Sequence, residues 1–202
     1  MNFNLAGSSN TNRSAPALNL TKGDLLDLSK AAPALKNCVL GGGWDVAVQG
    51  PSADLDLAAF MLGSNGRVER IPDDVIYFRH MNARGIMLEG DNRTGAGEGD
   101  DERIDIDLNN IEPRIQKIVF FITIFDAQKK RQTFGMIKNA FVRLLDADDD
   151  EREICRYNLT DNYATDTAIT VCSLNRTSAG WEFEAIGDGR VADLNDLLAL
   201  YY

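Results

Sequence analysis

The feature that most constrains this chain is its punctuation. From Leu18 onward, apolar runs of four to nine residues follow one another, most of them closed by Gly, Asn or Asp. Runs of that size suit strands, and the breaks leave little room for helices of ordinary length. They fall at 24–28, 37–40, 44–48, 55–62, 75–78, 102–108, 117–125, 139–145, 153–157, 167–174 and 181–186. Short strands at this density predict an all-β, antiparallel sandwich or barrel. In 103–108, Ile104, Ile106 and Leu108 alternate with Asp105 and Asp107, which sends one set inward and the other outward. The run 117–125 is apolar on both faces, as a central strand between packed layers would be. Turn residues between Leu174 and Trp181 predict a hairpin. Only the end reads as helix. Leu194, Leu197, Leu198 and Tyr201 share one face, suited to packing across the sheets, and Asp193 and Asp196 favour the positive end of the helix dipole.

Composition removes several function classes. A chain of 202 residues fits one domain, with a loose polar lead-in over 1–17 and the domain over 18–202. No apolar run approaches the roughly 20 residues that cross a bilayer, so no membrane span is expected. A net charge of −10 repels phosphate backbones and argues against nucleic acid. Cys38, Cys155 and Cys172 are odd in number and form no CxxC pair, so reduced thiols are expected rather than disulfides or zinc. The N-terminus lacks the basic start and apolar core of a secretion signal.

The acids are unevenly placed. Residues 88–107 hold eight carboxylates against Arg93 and Arg103, and the segment 90–102 mixes them with glycine. Crowded carboxylates repel one another unless a cation neutralises them, and glycine lets the chain turn their oxygens toward one point. Oxygen-only donors suit Ca²⁺, which takes 6–8 of them, and the absence of His and Cys speaks against zinc or copper. The spacing is not that of an EF-hand, because Arg93 and Ala96 stand where that loop needs a ligand and a glycine. Asp54 and Asp56 lie on one face of a strand-like run, and Asp45 follows the Gly41-Gly42-Gly43 triplet, read here as a tight turn. These three offer further ligands. The second acidic run, 146–153, lacks glycine and reads as a solvated turn that also discourages edge-to-edge pairing.

In order along the chain stand Gly41-Gly-Gly-Trp-Asp45, Asp54-Leu-Asp-Leu57, Gly90-Asp-Asn-Arg-Thr-Gly95 and Gly97-Glu-Gly-Asp-Asp-Glu102. Ile122-Thr-Ile-Phe-Asp126 and Phe134-Gly-Met-Ile-Lys-Asn-Ala-Phe141 follow. This series resembles the TerD-domain family of bacterial tellurium-resistance and general stress proteins, over about residues 18–187. The resemblance implies a calcium-binding β-sandwich with a cytoplasmic stress-response role. It carries the metal-ligand set over to Asp54, Asp56, Asp91, Asn92, Glu98, Asp100, Asp101 and Glu102, with Asp45 beside them. So many donors exceed the need of one ion, which predicts two Ca²⁺ sharing carboxylates. The chain departs from the commoner family pattern at 78–82, where many members have a Tyr-Asn-Asn run, and at both termini.

Catalytic signals are weak. His80 is the single histidine, and no GxSxG, HExxH or GxxxxGK[ST] occurs. Aromatic residues including Trp44, Tyr77, Phe78, Phe141 and Trp181 read as core. The expectation is a non-enzymatic, calcium-ordered scaffold whose partners include other stress or tellurite-resistance proteins. A metal-dependent hydrolase using the same carboxylates is the alternative. A calcium-dependent membrane-surface module would need a basic or apolar rim, and within the acidic segment only Arg93 and Arg103 offer positive charge.

Overall fold

The two-sided and alternating runs resolve into two stacked sheets in a computed structural model that describes residues 16–46, 53–90, 99–159 and 163–202. In chain order the elements are β1 (Leu18–Leu20), β2 (Leu25–Asp27), α1 (Leu28–Ala31), β3 (Asn37–Val46), β4 (Leu55–Leu62) and β5 (Val75–Ile76). Next come β6 (Asn82–Ala83), β7 (Ile86–Glu89), β8 (Glu102–Asp107), β9 (Lys117–Ile124) and α2 (Ala127–Lys130). The chain ends with β10 (Ile137–Asp146), β11 (Arg152–Asn158), β12 (Ala168–Thr177), β13 (Gly180–Arg190) and α3 (Leu194–Tyr201). One sheet has the order β1-β11-β10-β3-β8-β7-β6, the other β2-β13-β12-β9-β4-β5. Described neighbours run antiparallel except β1, which lies parallel to β11. This is the expected antiparallel sandwich with a C-terminal helix.

Leu40, Leu57, Ile104, Ile106, Phe120 and Ile122 fill the space between the sheets, each at most 1% exposed. The opposite face of β9 buries Val119 and Phe121, which explains why that strand reads as apolar on both sides. What covers it is α3. Leu197 is fully buried there, and the Tyr201 ring meets Phe121 edge-on at 5.8 Å between centroids. Asp193 and Asp196 do more than favour the dipole. The Asp193 carboxylate accepts from the N–H of Asn195 and Asp196, while the Asp196 side chain accepts from the N–H of Asp193. That reciprocal cap fixes where the helix starts.

Three expectations are corrected. The glycine triplet is not a turn: 37–40 and 44–46 belong to the single strand β3, which runs through it, and 47–48 lie outside the described residues. Lack of side chains is nevertheless its use. A Cβ at Gly41 would lie 2.3 Å from the Asp100 carboxyl, and one at Gly42 would lie 3.1 Å from Leu57 Cδ1. Gly41 and Gly43 thus form a bare floor on which segment 99–101 rests, tied by the Asp101 N–H to the Gly42 carbonyl at 2.8 Å. The helical content is also larger than the sequence suggests, by the single turns α1 and α2. The three thiols are buried and unbridged, as expected. Phe78 and Phe141 are only half-buried and carry cations rather than core, with Arg79 5.3 Å and Arg156 4.1 Å from their ring centres.

Candidate metal centre

Four links between strands leave from one end of the sandwich: β3 to β4, β7 to β8, β9 to β10 and β11 to β12. Cross-links confirm that the two sheets share this end. Glu102 at the start of β8 reaches the Leu57 N–H near the start of β4, and the N–H of Phe134 reaches the Asp166 carbonyl. Of the expected ligands, Asp45, Asp54, Asp56, Asp100, Asp101 and Glu102 are described and lie toward this end, in separate roles.

Asp45 and Asp101 come together. Both line a cavity of about 810 Å³ whose other walls include Trp44, Asn139, Arg156 and Asn158. Asp101 accepts from the Trp44 N–H at 2.9 Å, and Asp45 accepts from the Asn139 side-chain amide at 2.7 Å. Burial pushes the Asp101 carboxyl up, the charges of Asp45 and Asp100 push it further, and the Trp44 N–H opposes them. A carboxyl held up by like charges gains from any cation placed between them.

Asp100 and Glu102 are engaged otherwise. Both oxygens of Asp100 sit on Arg143, at 2.7 and 3.0 Å, and its side chain is 2% exposed. The buried Glu102 carboxylate accepts from the Leu57 N–H at 2.5 Å, satisfying β4 ahead of its pairing with β5. Asp54 and Asp56 lie in the other sheet. Leu55 and Leu57 take the inter-sheet face, so alternation puts both acids on the outer face together, as the sequence implies. Asp56 is buried, and Asp54 Oδ2 is 3.9 Å from Lys130 Nζ. Asp91, Asn92 and Glu98 fall outside the described residues. Among the described residues no group of three or more His, Cys, Asp or Glu side chains is drawn close enough to hold a metal ion.

What sequence reading missed is the charged ladder beside the cavity, on the outer face of the first sheet. Arg156 holds Glu153, Arg143 joins Glu153 to Asp100, and Arg103 joins Asp100 to Glu151 and Glu89. At its far end Asp105 hydrogen-bonds Glu89. Burial, then that bond and the Glu89 charge, raise the Asp105 carboxyl to about 6. The outward alternation of Asp105 and Asp107 is legible in the sequence, but the partners on β10 and β11 are brought in only by the sheet.

The sequence pattern of one family, the TerD domain, matches residues 17–201. The chain is 42% identical to the tellurium resistance protein TerD of Serratia marcescens, over 92% of this chain and 97% of that protein. It is 39% identical to general stress protein 16U of Bacillus subtilis (strain 168), over 85% of this chain and 90% of the other. Among solved structures it resembles a homologue of telluride resistance protein (TerD) from Streptomyces coelicolor A3(2). The TM-score is 0.62 and the identity 25%, with 80% of this chain and 94% of that one covered.

Proposed function

The chain belongs to the TerD-domain family of tellurium-resistance and general stress proteins, and from that premise we propose that it is a calcium-ordered binding module rather than an enzyme. The observation that carries the reading is the Asp45–Asp101 pair facing one cavity, with Asp101 held up by burial and, to a lesser degree, by its acidic neighbours. The donor set fits the ion, being oxygen only and anionic. Asp45 and Asp101 would hold calcium from the β3–β8 side, Asp54 and Asp56 from β4, and Asp91, Asn92 and Glu98 from the segment before β8. Asp100 and Glu102 act as struts in this reading, because Arg143 and the Leu57 amide already occupy their oxygens. A bound ion would remove carboxylate repulsion and fix the links at this end of the sandwich, so that a partner meets an ordered surface.

The non-enzymatic part has its own support. The ring Nδ1 of His80 lies 2.9 Å from the Val75 carbonyl, within its own turn. Burial pushes the thiols up, Cys155 to about 12, so they stay protonated and unreactive. The helices of the described chain include none long and apolar enough to cross a membrane. A cytoplasmic stress-response setting goes with the family reading. Calorimetric titration of chelator-stripped protein tests the proposal: two Ca²⁺ per chain are expected, with Mg²⁺ a poor substitute. Absence of calcium heat would leave the acidic segment a solvated loop, and turnover of a phosphate ester with Mg²⁺ would favour the hydrolase.

A further inference from the structure

The β9–β10 link reverses the charge of its surroundings. Residues 125–138 carry Lys129, Lys130, Arg131 and Lys138 against the single acid Asp126, in a chain of net charge −10. The fold adds Arg79, which the sequence keeps far away. Phe78 and Phe125 meet edge-to-face with centroids 5.5 Å apart, and each carries a cation: Arg79 5.3 Å from Phe78 and Lys130 5.1 Å from Phe125. An aromatic pair therefore holds two cations side by side at the mouth of the link. Arg79, Lys129 and Arg131 are exposed, and Lys129 has one partner, Asp126 at 2.9 Å.

Apolar tips stand at the same end. Met136, in the same link, is 41% exposed, and Val191 is 64% exposed. Val191 belongs to this end because its neighbour Ala192 is clamped there, the Ala192 N–H on Thr167 Oγ1 at 2.9 Å. Spread cations on long stems, with apolar tips from separate links at the same end, match a broad anionic plane with a shallow apolar layer beneath it. They match an acidic peptide less well, since such a partner has no use for scattered apolar tips.

We infer that this end of the sandwich docks on an anionic phospholipid bilayer through Arg79 and the β9–β10 link. The inference rests on the calcium reading for one feature only, its dependence on the ion. Carboxylates at the same end repel the bilayer until calcium neutralises them. The basic rim that a membrane-surface module needs thus comes not from the acidic segment but from a link some thirty residues further along.

Vesicle co-sedimentation with the full chain tests this. The probes are phosphatidylcholine vesicles with and without a quarter phosphatidylserine, in calcium or in chelator. Calcium-loaded protein is expected to pellet with the phosphatidylserine vesicles alone, and less in 0.5 M salt. Replacing Arg79, Lys129 and Arg131 by Gln should weaken partitioning about a hundredfold, at roughly fivefold per cation. Lys129→Gln alone, about fivefold, serves if the triple variant folds poorly. Equal pelleting with both vesicles, no pelleting, an unmoved triple variant, or capture by polyglutamate as tight as by vesicles would each overturn the inference. Failure here and failure of the calcium reading are distinguishable. Calcium heat without vesicle binding removes the docking and keeps the ion, whereas charge-dependent pelleting in chelator without calcium heat keeps the docking and removes the ion.

Discussion

Between Asp146 and Glu153 six carboxylates fall in eight residues, and between Gly99 and Asp107 five fall in nine. In the first stretch the fold supplies a donor to nearly every acid. Asp148 accepts from the N–H groups of Lys36 and Asn37 and from the Asn37 amide, which closes the start of β3. Arg152 spans Asp149 and Asp146, Arg103 takes Glu151, and Arg156 and Arg143 take Glu153. Those bonds hold Asp148, Glu151 and Glu153 below the usual carboxylate range. In the second stretch Asp101 and Asp105 are pushed above it. Acid density alone therefore does not make a cation site. What distinguishes Asp101 and Asp105 is burial beside like charges, which outweighs the Trp44 N–H at one and Arg103 at the other, and that is settled by strands distant in sequence.

Adding calcium should separate the stretches most. An ion that binds only the folded chain stabilises it by roughly 4 kcal/mol at a thousandfold excess over its dissociation constant. Thermal melts should shift upward by many degrees, and Asp101→Asn should abolish most of the shift. Asp149→Asn, in the compensated stretch, should leave it intact apart from weak screened effects. Equal losses from the two variants would mean a diffuse ion atmosphere and erase the contrast.

The next effect concerns the one place where the stretches are joined. Arg143 binds Asp100 of one and Glu153 of the other. Arg143→Gln leaves a carboxylate whose side chain is 2% exposed without its hydrogen-bonded cation, Arg103 remaining 3.7 Å away, a loss of about 3 kcal/mol in urea unfolding. Asp149→Asn removes only an exposed bond and should cost under about 1 kcal/mol. If Asp100→Asn added to Arg143→Gln restores none of the loss, the pair is not what the arginine serves.

How much of this could be read from the sequence follows from the range of each cause. β8, β9, the β12–β13 hairpin and α3 are legible because periodicity records a burial that acts on neighbouring residues. The glycine triplet misleads because a glycine in a turn and a glycine beneath a crossing segment look alike. The cause at Gly41 is Asp100, fifty-nine positions away. The acids of the candidate site are legible as a composition, yet the separation of the cavity-lining Asp45 and Asp101 from Asp100 and Glu102 is not. It depends on Arg143 and on the Leu57 amide, neither of which carries a local signal. The basic residues of 125–138 stand together in the sequence, but Arg79 joins them only through the Phe78–Phe125 contact.

The smallest effect, and the sharpest as a contrast, is the sign of the pH response. Asp105 is raised to about 6 in the folded chain, so protonation favours folding there. Its contribution is full below an unfolded value near 3.8 and is lost as pH rises through about 6. Asp148 is lowered, chiefly by the Asn37 side chain, so its contribution is full above 3.8 and is lost as pH falls through its folded value. Between pH 4 and 6, then, the Asp105–Glu89 pair weakens the fold as pH rises while Asp148 holds steady. Asp105→Asn should flatten the stability curve across that interval and gain no more than about 1 kcal/mol at pH 7, since the pair is part-solvated. Asp148→Asn should leave the interval unchanged and reduce the fall in stability below pH 4. Urea midpoints measured from pH 3 to pH 8 on both variants and the parent check this. Parallel curves for the two variants would show that the stretches titrate as one field of charge, and that the donors around Asp148 set neither its protonation nor its share of stability.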